Sequence, residues 1–562
     1  YQIYPRSFQD SDGDGIGDLN GITSRLDYIQ SLGVDIIWLN PIFLSPNDDN
    51  GYDISDYREI MREFGTMEDF DRLLKEIHKR EMRLVLDLVV NHTSDEHPWF
   101  EEARKSRHNP YYNYYHWWPA EKGEPPLRLS YFDEEGNAWM YNKPTDSYYL
   151  HYFSRKQPDL NWENPEIRQE IFDMMRFWFD KGIDGFRMDS ISLIAKDPSF
   201  PLIDSKKYPD IFSFYAKEPR LHLYLHEMNR QVLSKYDCMS VGEGSAVMVD
   251  DVAKFVDPAR EELNMLYHFD AARIRNTTLP DNPESGIDYS LIALKKMFTE
   301  WDKAIDKGWP SIYLGNHDQP RMVSRFGSDK DEFRALSAKM LITFLLTMRG
   351  TPYWFAGDEI GMRNIRFDRI EDYNDIDTIN RYKKAKAEGK DPQAVLDEQK
   401  ETGRDNARTP FQWDRSPEAG FTAGTPWLKV NPDYTWINVA DEEKDPTSIL
   451  NYFKKVVSFR KENPSLIYGS YHLLDAENPQ CYIFLRKTGA DTYLIMLNFS
   501  PKAAISTPGI DMSNAHVLLD NYGDRSHMAP QKDITLRPFE AIVFQLNHPV
   551  YESFIDSLDL LE

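Results

Sequence analysis

The feature that most limits how this chain can fold is an alternation of short apolar runs with longer segments of helical periodicity, repeated from one end to the other. "ITSRLDYIQSLG" reads as a helix and "VDIIWLN" as a strand, followed by "MEDFDRLLKEIHKREM" and "RLVLDLVVNH". "PEIRQEIFDMMRFWFDKG" leads into "IDGFRMD", and "LHLYLHEMNRQVLSKYD" into "CMSVGEG". "LNMLYHFD", "SIYLGNHD" and "TPYWFAGDE" follow, and with "YQIYPRSF" at the start they make eight strand candidates. Strands separated by helices pair in parallel. Eight such units predict an α/β fold, a closed (β/α)8 TIM barrel.

Two stretches break the rhythm. Residues 93–162, rich in Tyr, Trp and Pro, follow the third strand and are too long for a plain loop, which predicts an inserted subdomain. A charged stretch from about Arg363 to Trp413 follows the eighth strand. After about Ser465 the pattern turns to strands and tight turns ("YIFLRKTGADTYLIMLNF", "AHVLLDNYG"). The expected organisation is a barrel from 1–92 and 163–465, the insertion at 93–162, and a C-terminal antiparallel β-sandwich at 466–562.

Barrels carry their chemistry at the C-terminal ends of their strands. Those ends hold Asp87, Asn91 and His92; Arg187 and Asp189; Glu243; His317 and Asp318. One such ending could cap the next helix. Several converging on one rim imply a use, because buried carboxylates are costly to collect. A carboxylate pair flanking a glycosidic bond suits the set: one attacks the anomeric carbon, and the other protonates the leaving oxygen. Arg187 would keep the attacking group ionised. Metal-dependent hydrolysis is the rival reading, though no two of these side chains sit at a recognised ligand spacing.

Other classes are excluded by composition. A net charge of −26 argues against nucleic acid or an anionic membrane as partner, and no run of eighteen apolar residues occurs. The two cysteines, Cys238 and Cys481, exclude a disulfide framework and a cysteine-based zinc site. Aromatic residues make up 14% of the chain, and clusters such as "NPYYNYYHWWP" could stack on sugar rings as well as fill cores.

"DSDGDGIGD" places Asp10, Asp12, Asp14, Ile16 and Asp18 at the spacing of a calcium loop. Position 12 of that loop is Gly21 rather than Glu, and the segment before it alternates like a strand. A structural divalent-cation site is expected, not a sensor.

In combination, "DLVVNH", "QPDLNW", "GFRMD", "VGE", "NHDQPR" and "RDNARTPFQWD" resemble glycoside hydrolase family 13, the α-amylase family, and within it the oligo-1,6-glucosidase and α-glucosidase group. The resemblance spans nearly the whole chain. It implies Asp189 as nucleophile, Glu243 as general acid/base and Asp318 as transition-state stabiliser. His92, His317 and Arg187 would hold the terminal sugar, with Phe153 and Gln157 beside it. Tyr52 would form the stacking platform, and Asp49 with Arg404 would close the pocket. The implied mechanism is double displacement with retention. In the opening loop, related enzymes hold a calcium or similar cation; Asp10, Asp12, Asp14, Asp18 and the Ile16 carbonyl would be its ligands here, with magnesium an alternative.

Linkage preference is less plain. Relatives tend to carry Val after the nucleophile in α-1,6 specialists and Thr in α-1,4 specialists, and this chain has Ser190. Sucrose-isomerising relatives carry an Arg four residues after a Phe, as in Phe269 and Arg273 of "HFDAAR", and an aromatic residue two positions after the acid/base, where this chain has Ser245. Hydrolysis of short oligosaccharides or disaccharides is therefore expected, with sucrose isomerisation or transglucosylation as the alternative. A non-catalytic transporter subunit is disfavoured by the three intact acids. The chain is expected to be a monomer in the cytoplasm. It opens inside an apparent strand, so the lack of a leader leaves a periplasmic or secreted location open.

Overall fold

In the computed structural model, which describes residues 1–132, 136–208, 210–489, 491–525 and 532–546, all eight strand candidates contribute to one curled parallel sheet. They are β1 (Gln2–Ile3), β2 (Ile36–Leu39), β3 (Arg83–Val89), β4 (Gly185–Asp189), β5 (Met239–Glu243), β6 (Met265–Tyr267), β7 (Ser311–Ile312) and β8 (Thr351–Pro352). β1 to β6 pair in sequence order and β7 pairs with β8. The sheet closes from β8 to β1, where Gln2 N donates to Trp354 O at 2.7 Å and Ala356 N to Gln2 O at 3.0 Å. Side chains bridge the β6–β7 seam: Ser311 Oγ donates to Leu266 O at 2.8 Å and Tyr313 Oη to His268 O at 2.6 Å.

"YQIYPRSF" is a strand over only two residues. Pro5 has no N–H for a ladder, and Pro5–Ser7 coil into a 3-10 turn. β3 shows the opposite limit: six of its seven residues are buried, as expected for a barrel strand covered on both faces.

Local signals deliver each strand to the barrel. Thr66 and Asp69 form a reciprocal capping box that starts the helix Met67–Lys79, whose Phe70, Leu73, Leu74 and Ile77 share one buried face. The next long helix, Pro165–Lys181, is capped by Asn164 and stops at Gly182, which adopts φ 108°. The chain then enters β4.

Register sets the site. β3 and β4 pair Asp87 with Arg187 and Val89 with Asp189. β4 and β5 pair Arg187 with Val241, and β5 and β6 pair Glu243 with Tyr267. Side chains alternate along a strand, so Asp87, Arg187 and Val241 point to one face at one level, and Asp189 and Glu243 stand one step above.

Between β3 and Pro165, the helix Pro98–Ala103 precedes a three-stranded antiparallel sheet of Trp117–Pro119, Ser147–Leu150 and Trp139–Asn142. Its Trp139, Leu150 and Tyr152 pack against Leu193, Phe200 and Tyr215 from the chain after β4. After β8 the charged stretch forms the helices Ile376–Ala387 and Pro392–Thr402. The C-terminal part is a sandwich of a five-stranded antiparallel sheet and a two-stranded one, with Leu485, Leu494, Met496, Ile542 and Phe544 meeting Ala504, Ile534 and Leu536 in its core.

Candidate active site

Arg187, 1% exposed, is the hub of the C-terminal rim. Its Nη1 donates to Asp87 Oδ1 at 2.7 Å and to Asp189 Oδ1 at 2.8 Å, and its Nη2 to Glu243 Oε2 at 2.5 Å. Tyr267 Oη accepts from Nε at 2.9 Å. One planar cation thus fixes three carboxylates from three adjacent strands, a task for which the guanidinium fork is suited. Asp189 and Glu243 thus stand on one guanidinium, from adjacent strands. A retaining glycosidase needs such a pair, one carboxyl to attack and one to protonate, set about 5–5.5 Å apart.

The two carboxyls ionise differently. Burial pushes Asp189 up to about 6, with Arg187 opposing the rise. Burial also pushes Glu243 up to about 8; Arg187 again opposes, while the charges of Asp189 and Asp318 add to the rise. Near neutral pH one group is ionised and the other holds its proton, which divides nucleophile from acid. Ser190, directly after Asp189, adopts a left-handed backbone (φ 43°) and aims its N–H at Glu243 Oε2, 3.1 Å away. Ser245 Oγ donates to the other oxygen, Oε1, at 3.1 Å.

Asp318 meets a second set of cations. Arg408 Nη2 donates to its Oδ1 at 2.9 Å and Arg404 Nη1 at 3.2 Å, while His317 Nε2 lies 3.0 Å from Oδ2. Despite burial, these partners hold its carboxyl well below the ordinary value. Gln2 Nε2 donates to His317 Nδ1 at 2.8 Å, so the ring proton sits on Nε2, facing Asp318. Tyr52 stacks on that imidazole, with ring centroids 5.2 Å apart and planes 4° apart, and its hydroxyl donates to Asp87 Oδ2 at 3.0 Å.

Arg404 also reaches Asp49 Oδ1 at 3.2 Å and Asp375 Oδ1 through Nε at 2.7 Å. Gln157 Nε2 donates to Asp49 Oδ2 at 3.3 Å. His92 donates from Nε2 to Tyr52 O at 3.0 Å and lies against the Phe153 ring at 5.1 Å. Burial lowers it to about 3, so it is neutral. The structure therefore gathers Asp49, Tyr52, His92, Phe153, Gln157, Arg187, Asp189, Ser190, Glu243, His317, Asp318 and Arg404 into one contiguous cluster. Phe269 lies at its edge, 5.9 Å from the Tyr267 ring. Arg273 is half-exposed, with its guanidinium 3.6 Å from Asp270 one turn earlier.

Tyr267, Asp375 and Arg408 belong to this cluster and were not expected there. Arg408 lies four residues after Arg404, on the same face of the short helix Asp405–Arg408, a spacing that could have found it. Asp375 caps the helix Ile376–Ala387, where the Thr378 N–H donates to its carboxylate. Its charged surroundings hid it.

At the start of the barrel, the carboxylates of Asp10, Asp12 and Asp18 lie within 4.8 Å of one another. Asp14 is outside that group; its Oδ1 accepts from Ile16 N at 2.8 Å. The donor set is hard oxygen, which suits calcium or magnesium. Among the described residues, no helix is long and apolar enough to cross a membrane.

Known proteins match this chain over most of its length. The family model "Alpha amylase, catalytic domain" matches residues 2–469. An oligo-1,6-glucosidase from Parageobacillus thermoglucosidasius is 51% identical over 560 residues, covering 98% of each chain. Another from Bacillus cereus is 49% identical over 556 residues, covering 97% of this chain and 98% of the relative. The crystal structure of an isomaltulose synthase from Protaminobacter rubrum superposes with a TM-score of 0.92 at 42% identity, covering 98% of both chains.

Proposed function

This chain belongs to the α-amylase family of glycoside hydrolases, and from that premise we propose that it is a retaining, exo-acting α-glucosidase that removes terminal α-glucosyl residues from short oligosaccharides and disaccharides. Asp189 attacks the anomeric carbon while Glu243 gives its proton to the glycosidic oxygen, which departs with the rest of the sugar. The glucosyl group is then bound to Asp189 through an ester. Glu243, now a carboxylate, takes a proton from water, whose oxygen displaces Asp189 and releases α-glucose. Asp318, ionised beside Arg404 and Arg408, accepts hydrogen bonds from ring hydroxyls as the sugar distorts. Asp49, Gln157 and Arg404 wall off the far end, so one sugar fits and the action is exo.

The observation that carries this reading is the Arg187 clamp. It holds a carboxyl ionising near 6 and one ionising near 8 on a single guanidinium. Incubation with isomaltose, maltose and sucrose separately tests it: glucose from at least one of them is expected, and no turnover of any would overturn it. Within the reading, Ser190 leaves more room beside the nucleophile than Val or Thr, which supports mixed linkage use. Transfer to fructose, as in a sucrose isomerase, is the second reading, favoured by the likeness to the isomaltulose synthase and by Phe269. Ser245, in place of an aromatic, supports escape of fructose and hence hydrolysis.

A divalent cation on Asp10, Asp12 and Asp18 belongs to the same proposal. It would neutralise three converging carboxylates and pin the loop before the first helix; it takes no part in the chemistry. The reading also makes the enzyme a monomer in the cytoplasm, where two unbridged cysteines are at home; sedimentation and cell fractionation check both.

A further inference from the structure

The loop Asn47–Gly51, which carries Asp49 into the pocket, turns three times through the left-handed region, at Asn47 (φ 64°), Asn50 (φ 48°) and Gly51 (φ 99°). Two of the three are not glycine, and such conformations persist only where surroundings over-determine them. The strongest constraint within reach is Asp53. Its side chain is fully buried, and its carboxylate accepts Asp48 N at Oδ2 (2.8 Å) and Asp49 N at Oδ1 (3.0 Å). Among the described residues it forms no ion pair. A buried carboxylate without a cation is costly, and both of its oxygens are spent on this one turn.

We propose that Asp53 is a positioning residue that sets exo-specificity by stapling the Asp48–Asp49 turn. Two contacts radiate from the stapled turn. The Asp49 carboxylate meets Arg404 Nη2 at 3.2 Å and Gln157 Nε2 at 3.3 Å, closing the end of the pocket. Asp48 Oδ2 accepts from Ser154 Oγ at 2.5 Å, tying the turn to the segment that returns from the insertion. The turn also carries the platform, because Tyr52 N donates to Asp49 O at 3.1 Å. Asp53 touches no substrate in this scheme; it acts through Asp49 and Tyr52. The inference rests on the α-glucosidase reading and extends it to what fixes the closed end.

The test is Asp53→Asn, which keeps the shape but turns an amide N–H toward one of the two backbone donors. KM and kcat are measured on maltotriose with a free non-reducing end and on maltotriose blocked there by a 4,6-ethylidene group. The expected result is a KM on the free-ended sugar raised about 10-fold or more, kcat changed much less, and the blocked-to-free activity ratio raised about 10-fold, in keeping with loss of one buried hydrogen bond. A merely structural role would lower activity on both sugars alike and leave the ratio where it was. An unchanged KM and ratio in a variant that melts with the parent overturns the proposal. If Asp53→Asn does not fold, the double variant Asp53→Asn with Asn50→Gly, which relieves the left-handed strain, is measured instead; it is expected to fold and show the same raised ratio, and an unchanged ratio overturns the proposal there too. A parent enzyme inactive on every free-ended sugar would instead overturn the α-glucosidase reading and with it this inference.

Discussion

Replacing Arg187 with Lys tests the clamp directly. Arg187 reaches Asp87 and Asp189 through Nη1 and Glu243 through Nη2. An ammonium keeps the charge but is a point donor on an unforked stem, so it serves at most one or two of the three carboxylates. Loss of two charge-assisted bonds, at about 1.5–3 kcal/mol each, amounts to about 3–6 kcal/mol, which spans the about 3–5 kcal/mol seen when a buried pair is broken. If that cost falls on the transition state, kcat/KM drops by about 10²–10⁴-fold. The pH profile adds a second sign. Asp189 must be ionised to attack, so activity in the parent falls as pH drops through about 6; Glu243 must be protonated, so activity falls as pH rises through about 8. Arg187 holds the Asp189 value down, and weakening its grip raises that value, so the acid limb moves to higher pH. The assay is kcat/KM for isomaltose from about pH 4.5 to about pH 9, with melting curves at each end. A variant within tenfold of the parent whose acid limb has not moved would refute the clamp.

Other perturbations isolate single parts. Glu243→Gln should lose on the order of 10³-fold in kcat on disaccharides, with turnover of an activated glucoside restored by azide as α-glucosyl azide; failure of azide to restore turnover would count against the acid/base assignment. Ser190→Val should raise the isomaltose-to-maltose activity ratio and Ser190→Thr should lower it, both read from initial rates. Chelation should lower the melting temperature by several degrees, reversed by added calcium or magnesium, and Asp12→Ala should abolish that dependence without changing kcat; a melting temperature indifferent to chelator would remove the cation from the account.

How much of this was legible in the sequence depended on whether a residue's role followed from its place on a strand. Asp189 and Glu243 end apolar runs, so a barrel had to put them on one rim, and β4 and β5 deliver them to one guanidinium. The length of "YQIYPRSF" as a strand was not legible because alternation is local, whereas the ladder ends where Pro5 removes a donor. Asp375 lies in a charged helix start, where an N-cap and a partner for Arg404 look alike until the chain folds back. Arg273 is the converse: its spacing from Phe269 is as expected, yet the side chain pairs with Asp270 one turn away. The strain of Asn47 and Asn50 and the staple by Asp53 are invisible in composition, since positive φ and a buried acceptor are properties of the folded turn.

The most direct test of the central claim is the anomeric form of the first glucose released. Proton NMR during early hydrolysis of isomaltose, before mutarotation mixes the anomers, separates the two outcomes. Double displacement by Asp189 and Glu243 predicts α-glucose first, with β-glucose appearing only at the rate of mutarotation. β-Glucose as the first product would mean direct attack by water, and the paired carboxylates on Arg187 would not be acting as nucleophile and acid/base.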